Sequence, residues 1–241
     1  MNEKQAHTVK RLKDYLIHHY NPEVIILYGS TARGDTDEFS DIDLMVIMDI
    51  EDNEKVTAEM LSGTDHIVHD KHIILRSCDD YYSQKDIPGT MVYSALSEGL
   101  ILFLRPGFDM NALPLKGYEE RKKDVIEKEY IHQANEFLDN GKNALERRQL
   151  FRCRDFLRFA AVRMLKAVLV FRDIHPPRST NLEELFEMAR ELLPEIENLQ
   201  PVIDELDNYF PEGNNPEEYI RCRKLADKVN SAIDCIRSLL C

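Results

Sequence analysis

The chain has 241 residues, of which 43% are hydrophobic and 31% charged, with 9 Gly, 10 Pro and 5 Cys. Such a composition folds around a core, and it excludes disordered, collagen-like and disulfide-scaffold classes. The formal net charge of −13 argues against an unspecialised nucleic-acid groove, because a row of phosphates is gripped by basic surfaces.

The opening residues are polar and amphipathic, unlike the apolar core of a secretory leader. Val9, Leu12, Tyr15, Leu16 and His19 recur at helical spacing and predict a helix over about 5–20, ended by Pro22. VIILY (24–28) is a short apolar run stopped by Gly29, which reads as a buried strand. IDLMVIM (42–48) is a second strand, 53–62 a helix ending at Gly63, and HIVHDKHIIL (66–75) a third strand. MVYSALSEG (91–99) predicts a helix closing at Gly99, and LILFL (100–104) a last strand. The breakers Pro106-Gly107 and Pro114 mark a seam, so one domain is expected over 1–107 and a second over 118–241.

The second half predicts helices only. No proline occurs between 115 and 175, and two long helices fit, about 119–146 and 149–173. DIHPPRST (173–180) is a loop. Thr180 or Asn181 can cap the next helix, with Glu183 or Glu184 at the capping-box position. Pro194 suits the first turn of a further helical stretch. NYFPEGNNP (208–216) is a loop, and 217–239 a final helix. The cysteines at 78, 153, 222, 235 and 241 form no CxxC pair, and reduced thiols in a cytoplasmic setting are expected. The most apolar long stretch, 156–171, is interrupted by Arg158, Arg163 and Lys166, so no membrane span is expected.

The chemistry is concentrated in LYGSTARGDTDEFSDIDLMVIM, residues 27–48. Asp41 and Asp43 stand two apart at the opening of a strand, so both side chains face one way. Two carboxylates on one face repel, and a hard cation such as Mg²⁺ relieves the repulsion together with substrate phosphates. Gly29 permits close approach of a phosphate, Ser30 adds a hydroxyl and an N–H, and Arg33 can fork onto a polyphosphate. His66, His69 and His72 lack zinc-site spacing, because a strand sends His69 to the opposite face from the other two.

This segment resembles the nucleotidyltransferase superfamily that includes polymerase beta, in its minimal branch with the pattern GS-x10-DxD. Arg33, Gly34 and Ser40 tighten the match, which runs over about residues 5–105. The resemblance implies a mixed-sheet α/β fold in which Asp41 and Asp43 bind two Mg²⁺ ions, with Gly29, Ser30, Arg33 and Ser40 on the nucleotide, ATP. It also implies a third carboxylate on a later strand. Asp65 and Asp70 are the candidates. Asp70, followed by Ile73-Ile74-Leu75 and then Asp79-Asp80, fits the family order, and a charge inside an apolar strand needs a partner. Glu98 is a candidate base on the acceptor side.

Residues 118–241 resemble the HEPN domain, an all-α bundle, with FLRFAAVRMLKAVLVF (156–171) as its central helix and Tyr209-Phe210-Pro211 following late. The Arg-to-His spacing by which many HEPN domains cut RNA is absent, since His175 comes three residues after Arg172. RNA cleavage is not expected.

Together these resemblances imply a nucleotidyltransferase that passes NMP, as AMP from ATP, to a hydroxyl of a small molecule or protein and releases pyrophosphate. A toxin–antitoxin-type regulatory module that binds nucleotide with little turnover is one alternative. A kanamycin-type antibiotic nucleotidyltransferase, which shares the domain layout, is another. The helical half is a candidate surface for a homodimer. Residues 142–172 hold nine basic and two acidic residues. Arg147, Arg148, Arg152 and Arg154 are expected outside the core, either as a solvated helix face or facing the acidic catalytic half. Arg158, Arg163 and Lys166 are expected to serve packing, and Phe156, Phe159, Ala160, Val162, Leu165 and Leu169 to form a core stripe.

Overall fold

Five apolar residues in a row, with no polar position to turn toward water, make β1 (Val24–Tyr28) a strand covered on both faces. In the computed structural model, which describes residues 3–34, 41–49, 52–68 and 70–240, β1 lies inside a four-stranded sheet of order β3-β2-β1-β4. β2 (Ile42–Ile47) and β4 (Leu100–Leu104) flank it antiparallel, and β3 (Lys71–Arg76) runs parallel to β2. The sheet belongs to the first of two compact units, Met1–Gly117 and Tyr118–Cys241.

Period-two alternation sorts the sheet's side chains into two layers. Ile25, Leu27, Ile42, Leu44 and Val46 meet Val9, Leu12 and Leu16 of α1 (Glu3–Tyr20) and Met60 of α3 (Asn53–Thr64). Val24, Ile26, Tyr28, Met45 and Ile47 meet Tyr81 of α4 (Cys78–Gln84) and Val92 and Ala95 of α5 (Met91–Glu98). Between β1 and β2, the Gly-Ser turn forms a one-turn helix, α2 (Gly29–Arg33).

The third strand is shorter than the sequence suggests. The amides of Ile67 and Val68 donate to the Thr64 carbonyl at 2.9 and 3.2 Å, so residues 66–68 wrap around the end of α3 and cannot be extended. Asp70 is therefore not inside a strand. It is exposed, one residue ahead of β3. The buried charge at this strand's start is Lys71, whose Nζ donates to Asp65 Oδ1 at 2.5 Å and the Val68 carbonyl at 2.9 Å.

The second unit is helical throughout. A continuous helical stretch comprises α6 (Tyr118–Val125), a π-helical segment (Ile126–Ile131) and α7 (His132–Glu146). It folds back through Arg148, at φ 55°, onto α8 (Leu150–Phe171). α8 carries the core, with Leu157, Ala160, Ala161, Met164, Leu165 and Val168 all buried. It packs on α7, on α9 (Leu182–Leu192) and on α11 (Pro216–Leu240). Asn181 caps α9 by accepting from the Glu184 amide at 3.0 Å. Pro194 opens a 3-10 turn (Pro194–Leu199) that leads into α10 (Gln200–Asn208).

Two expectations for α8 fail. Phe159 is 46% exposed, its ring tilted against Phe137 at 5.5 Å. Arg154 is buried, because its guanidinium closes the open end of α10: Nε donates to the Tyr209 carbonyl at 3.0 Å and Nη2 to the Asp207 carbonyl at 3.4 Å. The Phe210 ring covers the same group at 4.1 Å. A helix end leaves carbonyls without intrahelical partners, and this arginine supplies donors to them. Arg147, Arg148 and Arg152 are exposed. No helix among the described residues is long and apolar enough to cross a membrane.

Candidate active site

The end of β1 and the start of β2 hold the candidate residues. Gly29 sits at φ 73°, a conformation that side chains other than glycine's rarely adopt. A Cβ there would lie 2.1 Å from Asp43 Oδ2. The glycine thus lets the chain turn directly against the carboxylate. Ser30 and Arg33 follow on α2, both half-buried.

Asp43 is set by the ladder. It pairs with Tyr28 across the antiparallel β1–β2 register and with His72 across the parallel β2–β3 register. Partners in register share a face, and the side chains meet there. His72 Nδ1 is 3.6 Å from Asp43 Oδ1 and 3.5 Å from the Tyr28 hydroxyl. Asp41 precedes the first ladder pair and is exposed. Its carbonyl accepts from the buried Thr31 hydroxyl at 3.0 Å. Asp70 occupies the matching place ahead of β3, its carbonyl accepting from the Ile42 amide at 3.2 Å. Asp65, the other candidate, is engaged with Lys71. Ser40 lies outside the described residues.

Burial pushes the Asp43 carboxyl up from its ordinary range, and the Asp41 charge adds to that, while His72 and Arg33 pull it down. Burial also raises the Tyr28 phenol, with the Asp43 charge second. A half-buried acid whose ionised form is disfavoured is a place where a cation is welcome. Among the described residues, no group of three or more His, Cys, Asp or Glu side chains makes a ready-made metal cage. Mg²⁺ rarely needs one, since it uses one or two carboxylates and completes its octahedron with water and substrate phosphates. The oxygen donors of Asp41 and Asp43 fit that habit.

Glu98, considered above as a base, has its carboxylate on Arg33, with Nη1 to Oε2 at 3.0 Å. Sequence reasoning overlooked Thr31, hidden inside the glycine motif, and the Tyr28–His72 surroundings of Asp43. His72 follows Asp43 by 29 positions, and only strand register brings the two together.

Residues 10–106 match the family model described as polymerase beta nucleotidyltransferase, and residues 127–241 match that of the HEPN domain. No curated protein matches the chain. Among solved structures, the chain is similar to a spectinomycin adenyltransferase AAD(9) from Enterococcus faecialis, crystallised with ATP and spectinomycin. Identity is 12%, coverage 93% of this chain and 99% of that one, and the TM-score 0.44. It is also similar to a nucleotidyltransferase-like protein from Exiguobacterium sibiricum, with identity 14%, coverage 97% and 75%, and TM-score 0.44.

Proposed function

For a chain that carries a polymerase beta-type nucleotidyltransferase domain at residues 10–106 followed by a HEPN domain at 127–241, we propose transfer of AMP from ATP to a hydroxyl acceptor. The hydroxyl oxygen bonds to the α-phosphorus, the bond from that phosphorus to the β-phosphate bridge breaks, and pyrophosphate leaves. The hydroxyl proton passes to solvent. The observation that carries this reading is the seating of Asp43 directly on the Gly29 turn, with Asp41 two residues before it. It sets a phosphate-permissive backbone directly against one carboxylate, with the second two residues away along the chain.

In this reading Asp41 and Asp43 hold Mg²⁺, and Asp70 at the head of β3 joins them once the ion is bound, since the three side chains do not converge without it. Two such ions, when bound, neutralise charge building on the attacking and leaving oxygens. Gly29 admits the triphosphate, Ser30 and Ser40 donate to its oxygens, and Arg33 offers its guanidinium fork. The acceptor is a small-molecule or protein hydroxyl.

The test uses the full chain with α-labelled ATP, Mg²⁺ and a cell extract. Label should appear on an acceptor with stoichiometric pyrophosphate, and Asp41→Asn or Asp43→Asn should abolish it. Wild-type labelling by both variants sinks the assignment. Nucleotide binding without any pyrophosphate release would point to a binding module instead.

A further inference from the structure

We propose that Thr31 is a positioning residue of this site, its hydroxyl setting where Asp41 stands relative to the Gly29–Ser30 turn. The inference rests on the function proposed above and concerns a side chain to which the motif chemistry assigns no role.

Thr31 is 1% exposed, which makes it one of few buried polar residues in the described chain. A buried hydroxyl must find a partner. A threonine in a helix ordinarily finds one locally, at a carbonyl three or four residues back. Thr31 does otherwise. Its Oγ1 donates to the carbonyl of Asp41, ten residues onward, at 3.0 Å. The bond therefore joins the two halves of the site, the glycine turn on one side and the first carboxylate on the other.

Asp41 and Asp43 are held differently, and this gives the bond its consequence. Asp43 lies within β2, where the ladder fixes it against Tyr28 and His72. Asp41 lies one residue before β2 begins, and its own carbonyl is tied to the fold by Thr31. The β-branched side chain is stiff at χ1, so a threonine rooted in α2 holds that carbonyl at one distance and direction. A carboxylate that must share an ion with a triphosphate is sensitive to such placement, since a shift of about 1 Å can cost about 100-fold in rate.

Thr31→Val keeps shape and volume and removes the donor, whereas Thr31→Ser keeps the donor. The probe is Mn²⁺ with ATP, bound to the full-length protein and followed by the paramagnetic signal of free Mn²⁺. It is measured beside kcat and KM for label transfer. Thr31→Val should bind Mn²⁺ about tenfold more weakly in the presence of ATP and lose about ten- to 100-fold in kcat, with KM for ATP nearly unchanged. Thr31→Ser should stay close to wild type in all three. If Thr31→Val does not fold, Thr31→Ala compared with Thr31→Ser carries the same contrast. A purely structural threonine would lower the melting temperature and leave the Mn²⁺ affinity of the folded protein as in wild type. That result overturns the positioning role and leaves the proposed function standing. Unchanged Mn²⁺ binding in Asp41→Asn overturns the function itself, and this inference with it.

Discussion

Asp43 leans on Gly29 so closely that a methyl group at position 29 would meet its Oδ2 at 2.1 Å. Gly34, at φ 84°, shares the left-handed backbone but has nothing among the described residues within 4 Å of the corresponding methyl position. The pair separates conformational strain from contact. Gly34→Ala should cost stability alone, about 1 kcal/mol or somewhat more, from a disfavoured backbone. Gly29→Ala should cost at least that and also push Asp43 aside, with loss of Mn²⁺–ATP binding. Chemical denaturation beside Mn²⁺ titration of both variants checks this, and equal Mn²⁺ binding in the two would show the contact to be inconsequential.

Asp43 should weaken the metal-free fold. Its pKa is raised in the native state, so the native protein holds that proton more tightly than the unfolded chain does. The contribution to stability is fully present below the ordinary carboxylate range and is lost as pH rises through the raised native value. Asp43→Asn should accordingly melt higher than wild type at pH 7 in the presence of chelator. Its advantage should shrink as the pH is lowered through the carboxylate range. Melting curves of the two proteins across that range decide it, and an advantage that grows toward acid would contradict the sign.

Arg33 is held by Glu98 at 3.0 Å. If the guanidinium serves the triphosphate, Arg33→Ala should raise KM for ATP about tenfold or more, the scale of one charged hydrogen bond. Glu98→Gln should raise it less, by loosening the arginine. In the Arg33→Ala background the second change should add nothing, because its effect runs through the missing side chain. Additive effects would assign Glu98 a separate role.

In the helical unit, Arg154→Met should remove donors from the Tyr209 and Asp207 carbonyls and leave them without that partner. The expected loss is about 2–4 kcal/mol. Arg152→Met, two positions away on the exposed face, should stay within about 0.5 kcal/mol. Urea unfolding of both variants tests the contrast.

The local elements that carry the candidate site are legible in the amino-acid sequence. The glycine stop after VIILY, the Asp41/Asp43 alternation, the cap at Asn181 and the helical run of 156–171 each depend on residues a few positions apart. Spacing within a few residues is what a sequence displays, because strand pleat, helix pitch and capping bonds act over that range. Phe159 and Arg154 show where the same reasoning stops. Helical periodicity marks the phenylalanine as core, and its place near a charge run marks the arginine as surface. The neighbours on α7 and α10 decide otherwise.

Tertiary pairing chose the company of each carboxylate. Asp43 stands beside Tyr28 because β1 and β2 pair antiparallel, and beside His72 because β3 pairs parallel. Neither register is written in a local pattern. Asp70 stands at the head of β3 and not in its interior because the end of α3 draws residues 66–68 into turns, which shortens the strand. Thr31 reaches Asp41 because a one-turn helix buries its hydroxyl against a carbonyl ten residues on. The amino-acid sequence determined which chemical groups this protein owns and which local elements carry them. Long-range strand pairing and packing determined which of those groups meet, since the free energy that selects a register is spread over the whole core.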